Sequence, residues 1–194
     1  MNELMNNLNE HYRQEHVSQI ECLTRQYTQS HRYYHTLEHI TYMFEIARQY
    51  EIALSRAQIH AIWWHDAVYD PTSKTNEEDS WRMAQLYHNH LQDVDWLSIV
   101  GMIMDTKTHS PRTEESKIVC DLDMFILADV DEYDKYRRLV RQEYSMYSDE
   151  EYRQGRIRFL EGLLSKQIFH SDIFKTYHES VAKVNIKDEI RDLQ

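Results

Sequence analysis

The sequence predicts an all-α fold, and three observations carry that expectation. Apolar residues recur at helical spacing almost throughout; Leu37, Ile40, Met43, Phe44 and Ala47 mark one face of a helix. Strict apolar–polar alternation, the mark of a half-buried strand, is hard to find anywhere. The 194 residues include only 3 Gly and 2 Pro. Sandwiches and barrels need these residues at many turns, and a Rossmann domain needs a Gly-rich phosphate loop, so those folds are excluded. The length fits a single domain, large enough to bury about 70% of its unfolded surface without a disulfide or metal staple.

The elements follow in order from spacing and caps. The spacing predicts a helix at about 3–29, and a second at about 36–51 on the Leu37–Ala47 face. Ser55 reads as the N-cap of a helix at about 55–68, markedly apolar through Ile59, Ile62, Trp63, Trp64 and Ala67. Helices at about 76–93, 94–107 and 113–128 follow, the second containing the apolar run Ile99 to Met104. The helix at about 131–147 carries Arg137, Arg138, Arg141 and Glu143, read as a solvated charged face. Ser148 followed by Glu151 is a capping-box start for a helix at about 149–165, and a last helix covers about 172–191. Pro71 and Pro111 fall between helices, in loops where function tends to sit.

Lys and Arg total 22 against 33 Asp and Glu, a net charge of −11. Such a surface repels phosphate backbones and argues against general nucleic-acid binding, though a bound cation can reverse the field locally. The 12 His exceed ordinary usage and point to metal or acid–base chemistry. Cys22 and Cys120 form no Cys-x-x-Cys spacing, so thiolate ligation of zinc is excluded and two buried thiols are expected. The polar start Met1-Asn2-Glu3-Leu4 and the short apolar runs predict a cytoplasmic chain without a signal peptide or membrane span.

Three stretches carry chemistry. His35 and His39 lie at i and i+4; on one helix face they would stand about 6 Å apart, suited to two ligands of one metal, to a ligand beside an acid–base group, or to an exposed polar stripe. His65-Asp66 ends an apolar helix, where a carboxylate is costly unless it is paired, caps a helix or binds a cation. Asp121 and Asp123 sit in another apolar run, as metal ligands or as helix-start carboxylates.

The ordered set His39, His65-Asp66, Asp123 resembles the His…His-Asp…Asp signature of the HD-domain superfamily of metal-dependent phosphohydrolases. Tyr34-His35-x-x-x-His39 also resembles an element of the cyclic-nucleotide phosphodiesterases in that superfamily. The resemblance is strongest to small bacterial predicted HD-superfamily phosphohydrolases, which similarly carry Arg-x-Tyr-His-x-Leu-x-His-Ile, His-Asp-Ala-Val-Tyr-Asp, Asn-Glu and Asp-Ala-Asp-Leu. Here these positions are Arg32 to Ile40, His65 to Asp70, Asn76-Glu77 and Asp121-Leu122-Asp123-Met124. Thr36, Trp64, Leu122 and Met124 depart from the pattern. The resemblance covers about residues 30–160 and implies an HD-domain helical bundle with a phosphodiesterase-like core and flanking helices.

The resemblance further implies that His39, His65, Asp66 and Asp123 ligate one divalent ion, among Mn, Mg, Co, Ni, Fe and Zn by donor type. Of the two carboxylates in the last motif, its phrasing favours Asp123. It implies that metal-activated water attacks a phosphate ester of a nucleotide or other small metabolite, that Asp66 accepts the water's proton, and that His35 protonates the leaving oxygen. Lys74 and Arg141 are candidate phosphate contacts; Glu77 and Asp70 could support a second ion. His109 reads as a second-site ligand, a substrate contact or a surface His, and His88 and His90 as surface. Two other functions fit the motif set: an HD-type di-iron oxygenase, and a non-catalytic nucleotide-binding sensor.

Overall fold

Helix caps and side-chain bonds to the backbone decide where the elements of this protein start and stop. A computed structural model describes residues 17–87 and 95–194. Among the described residues there are nine α-helices and no strand, as the sequence predicts. The expectations for residues 3–16 and 88–93, including those for His88 and His90, lie outside the described residues. The chain divides into two compact units, the first ending at Met104 and the second starting at Asp105.

In the first unit the helices are α1 (Val17–Tyr27), α2 (Leu37–Gln49), α3 (Arg56–Trp64) and α4 (Asn76–Gln85); α5 (Trp96–Thr106) runs across the division. Thr36 caps α2, its hydroxyl accepting from the Glu38 N–H at 3.2 Å. Ser55 and Gln58 form a capping box on α3, Gln58 N–H donating to Ser55 Oγ and Ser55 N–H to Gln58 Oε1. Ile40, Met43, Ala61, Ile62 and Trp64 make the buried core between these helices.

α3 stops at Trp64 rather than near residue 68. The Trp63 carbonyl accepts from the Tyr27 hydroxyl at 3.0 Å, and the Ala67 N–H turns back to the Trp64 carbonyl at 3.2 Å. The carbonyls of Asp66 and Ala67 accept from Arg32 at 2.7 and 2.9 Å. Side chains thus satisfy groups that a longer helix would have paired internally.

The second unit holds α6 (Glu114–Met124), a 3-10 turn (Phe125–Ala128), α7 (Tyr133–Glu143), α8 (Asp149–Leu164) and α9 (Asp172–Leu193). The helix expected to reach about residue 128 therefore tightens to 3-10 over its last turn. Ser148 and Glu151 form the expected capping box on α8. Phe125 packs edge-on against Phe174 at 5.3 Å and against His178 at 4.8 Å, and burial lowers the His178 pKa.

One buried polar network joins the last three helices. Arg156 of α8 donates to Glu189 of α9 at 2.8 and 3.2 Å and to the Tyr136 hydroxyl of α7 at 3.2 Å. The Tyr133 hydroxyl donates to Glu189 at 2.5 Å. The expected solvated face on α7 is only partly so. Arg137 bonds Asp134 and Asp192, whereas Glu143 is buried.

Cys22 and Cys120 are free, buried thiols, and burial pushes the Cys120 pKa well up, leaving it in its unreactive form. Among the described residues no helix is long and apolar enough to cross a membrane.

Removing one partner of the Arg156–Glu189 pair strands a buried charge. Glu189→Ala should cost about 3–5 kcal/mol of unfolding free energy in urea titrations. A loss below about 1 kcal/mol would mean that water reaches Arg156 and that the pair does not hold these helices.

Candidate metal centre

In the first unit, His65 stands between two other donor side chains, His39 and Asp66. His39 extends from the first turn of α2, where the Thr36 cap starts the helix, and its ring is buried among core residues. His65 is the C-cap residue of α3, and Asp66 follows it. The His65 Nδ1 lies 2.8 Å from the Ile62 carbonyl oxygen. A carbonyl only accepts, so Nδ1 carries a proton, which leaves Nε2 as the nitrogen that can face a cation. This is how a ligating His is normally oriented.

His65 Nε2 stands 3.4 Å from His39 Nε2 and 3.2 Å from Asp66 Oδ2. Two donors each about 2.1 Å from one ion lie about 3.0–3.4 Å apart, from octahedral to tetrahedral angles. Both separations fall in that range, so each pair is spaced as two ligands of one divalent cation would be. All three donors are N or O, matching the expected borderline-to-hard metals.

His35 is placed differently from the sequence reading. It precedes the Thr36 cap and is off the helix, because Thr36 is extended and its N–H donates back to the Tyr34 carbonyl at 2.7 Å. The two rings nonetheless lie 5.9 Å apart, centre to centre. His35 stacks on Tyr69 at 4.2 Å, and its Nε2 is 4.0 Å from Asp66 Oδ2. Its side chain keeps 21% exposure, so it borders both Asp66 and solvent.

The turn after Asp66 is pinned residue by residue. Val68 N–H donates to Ser80 Oγ at 2.9 Å, and His31 Nε2–H donates to the Tyr69 carbonyl at 2.9 Å. Asn76 accepts from the Asp70 N–H at 3.0 Å and donates to the Asp70 carbonyl at 2.9 Å. Asp70 caps the loop itself: the hydroxyl and N–H of Thr72 bond its carboxylate and hold its pKa below the usual range. Lys74 is exposed on this loop, and Glu77 lies in the first turn of α4.

In the second unit the two carboxylates of the last motif separate. Asp121 is fully buried and accepts from the N–H of His170 at 2.8 Å, the N–H of Ser171 at 2.7 Å and the Ser171 hydroxyl at 2.5 Å. It anchors the start of α9, and burial raises its pKa despite these donors. Asp123 keeps 14% exposure, and its Oδ2 accepts from His109 Nε2 at 2.8 Å.

His109 has a φ of 49°, a left-handed backbone uncommon outside glycine. The loop is held there by His170 Nε2, which donates to the His109 carbonyl at 3.0 Å, and by Lys166, which donates to the Thr108 carbonyl at 2.8 Å. Asp105 closes the same loop by accepting from Arg112 N–H and Nε–H and from the Ser116 hydroxyl. Arg141, a candidate phosphate contact by sequence, bonds the Tyr144 and Tyr147 carbonyls and Asp149 across the α7–α8 loop.

Sequence reasoning missed two residues that shape these loops. Arg32 lay in the first motif without an assigned task. Asp105 directly follows the apolar run Ile99 to Met104, the same signal of a desolvated carboxylate that singled out Asp66. No family model, curated protein or solved structure matches the chain.

Asp121→Ala leaves two backbone N–H groups and a hydroxyl without their acceptor, a loss of about 3 kcal/mol or more at about 1–3 kcal/mol for each buried orphan. Asp123→Ala gives up one partly exposed contact and should cost about 1 kcal/mol or less. Urea midpoints compare the two; equal losses would contradict the division of labour between these carboxylates.

Proposed function

We propose that this protein is a metal-dependent phosphohydrolase of the HD-domain type, acting on a phosphate ester of a nucleotide or another small phosphorylated metabolite. His39, His65, Asp66 and Asp123 hold one divalent ion in this reading. The observation that carries it is the approach of His65 Nε2 to His39 Nε2 at 3.4 Å and to Asp66 Oδ2 at 3.2 Å, with His65 Nδ1 held by the Ile62 carbonyl. Two further observations support it. Asp121 is committed to α9, which leaves Asp123 as the carboxylate of the last motif for the ion. His109 on Asp123 is the kind of partner that orients a ligating carboxylate.

When bound, a divalent ion at these residues supplies two things: a water of lowered pKa, and positive charge against the phosphoryl oxygens. With a net charge of −11 on the chain, that local positive charge is what makes an anionic substrate welcome. Asp66 holds its carboxylate at the edge of the cluster and accepts the proton of the attacking water. His35 stands 4.0 Å from the same Asp66 oxygen, stacked on Tyr69 and partly open to solvent. From there Nε2 delivers a proton to the departing alkoxide. The stack on Tyr69 limits rotation of the imidazole, so the proton is offered from one position.

The reading assigns different tasks to His35 and its neighbours, and metal analysis separates them. His39→Ala and Asp66→Ala should be metal-poor with unchanged far-UV dichroism. His35→Ala should stay metal-replete and lose about 10²–10⁴-fold in turnover. That loss should shrink on 4-nitrophenyl phosphate, whose leaving group needs no proton. An Asp66→Ala protein with full metal content, or a His35→Ala protein emptied of metal, would break this assignment.

A further inference from the structure

Arg32 is a buried cation whose guanidinium is spent on backbone. Nη1 donates to the carbonyl of His35 at 3.0 Å and to the carbonyl of Asp66 at 2.7 Å. Nη2 donates to the carbonyl of Ala67 at 2.9 Å, and Nε donates to Gln29 Oε1 at 3.2 Å. The guanidinium carbon lies 5.1 Å from the Tyr27 ring centre and 5.5 Å from that of Tyr69. The side chain is 5% exposed.

We infer that Arg32 is a positioning residue that fixes His35 against Asp66 by gripping both of their main chains through a single guanidinium nitrogen. His35 sits in a loop before α2, and Asp66 in a turn after α3. Neither is held by helical backbone bonds. Nη1 spans the two loops, and its two carbonyl partners belong to the two residues given proton-transfer tasks. Tyr69, which carries the His35 ring, also flanks the guanidinium. The geometry of the pair, including the 4.0 Å gap between His35 Nε2 and Asp66 Oδ2, is therefore tied to one planar fork. A lysine offers a point charge with rotating donors and cannot hold three carbonyls in one plane.

This inference rests on the metal-dependent reading, so its test must separate the two. The probe is Co²⁺ alone, followed by its visible absorption, with phenyl phosphate hydrolysis as a second arm. Arg32→Lys should keep its far-UV dichroism and bind Co²⁺ about 10-fold more weakly with an altered spectrum, the usual cost of losing an outer support. At saturating Co²⁺ its kcat should fall about 10²-fold, the scale of a misplaced reacting group, with KM little changed. In a His35→Ala background the same substitution should cost less than about 3-fold in kcat, because the partner through which it acts is gone. If Arg32→Lys fails to fold, Gln29→Ala loosens only the Nε end of the fork and should show the same signature, with about a 3-fold loss of Co²⁺ affinity.

Wild-type protein that takes up no Co²⁺ overturns the metal-dependent reading and this inference with it. Wild-type protein that binds Co²⁺, alongside an Arg32→Lys protein of equal affinity and spectrum, overturns the role of Arg32 alone. So does a loss of kcat that is the same with and without His35.

Discussion

The backbone of residues 66–70 has to be satisfied without a helix or a sheet, and the first unit is built around that requirement. α3 ends at Trp64, and the chain then runs past the buried residues Ala67 and Tyr69. An orphaned buried N–H or C=O costs about 1–3 kcal/mol, so several in a row would unfold the turn. Arg32, Ser80, His31 and Asn76 supply the missing partners. They come from the loop before α2 and from α4. Those segments are thereby fixed relative to the His-Asp pair, and a site made of loop residues acquires the precision of packed helices.

The same rule explains how an acidic chain carries so many buried carboxylates. Three of those in the second unit are met by a dense set of donors. Glu189 meets Arg156 and Tyr133, Asp105 meets Arg112 and Ser116, and Asp121 meets the start of α9. Three carboxylates thus close a loop, start a helix and join three helices. In the first unit, Asp66 has imidazole neighbours. Two imidazole nitrogens, of His65 and His35, lie 3.2 and 4.0 Å from Asp66 Oδ2.

Most of the helix pattern was legible in the sequence because it rests on local signals. Periodicity located the helices, and Ser55 and Ser148 marked two starts to the residue. What was not legible depends on contacts far apart in the chain. α3 ends early because Tyr27 and Arg32 compete for its carbonyls, across 34 to 36 positions. Glu143 looked solvated because its neighbours Arg137, Arg138 and Arg141 are charged, yet it is buried. His35 looked helical because i, i+4 spacing to His39 mimics a helix face. Thr36, a good cap, was the local sign that the helix begins one residue later.

The pair Asp121 and Asp123 shows where a motif stops being informative. Two residues apart on a helix, side chains diverge by about 200° and cannot share an environment. One must face the interior of the unit if the other faces out, and the sequence Asp121-Leu122-Asp123-Met124 does not say which. Burial decides. Asp121 has no exposure, and both of its oxygens are taken by the His170-Ser171 turn, so a cation there would have to displace three hydrogen bonds. Asp123 keeps 14% exposure and meets an imidazole whose loop is held in a left-handed backbone. Strain of that kind costs about 1–3 kcal/mol and persists where surrounding contacts enforce it. Here His170 and Lys166 enforce it, and the His109 ring is thereby delivered to Asp123. His170 thus serves both carboxylates: its N–H holds Asp121, and its ring holds the loop that orients Asp123. The anchoring of α9 and the aiming of the candidate ligand are linked through that one residue.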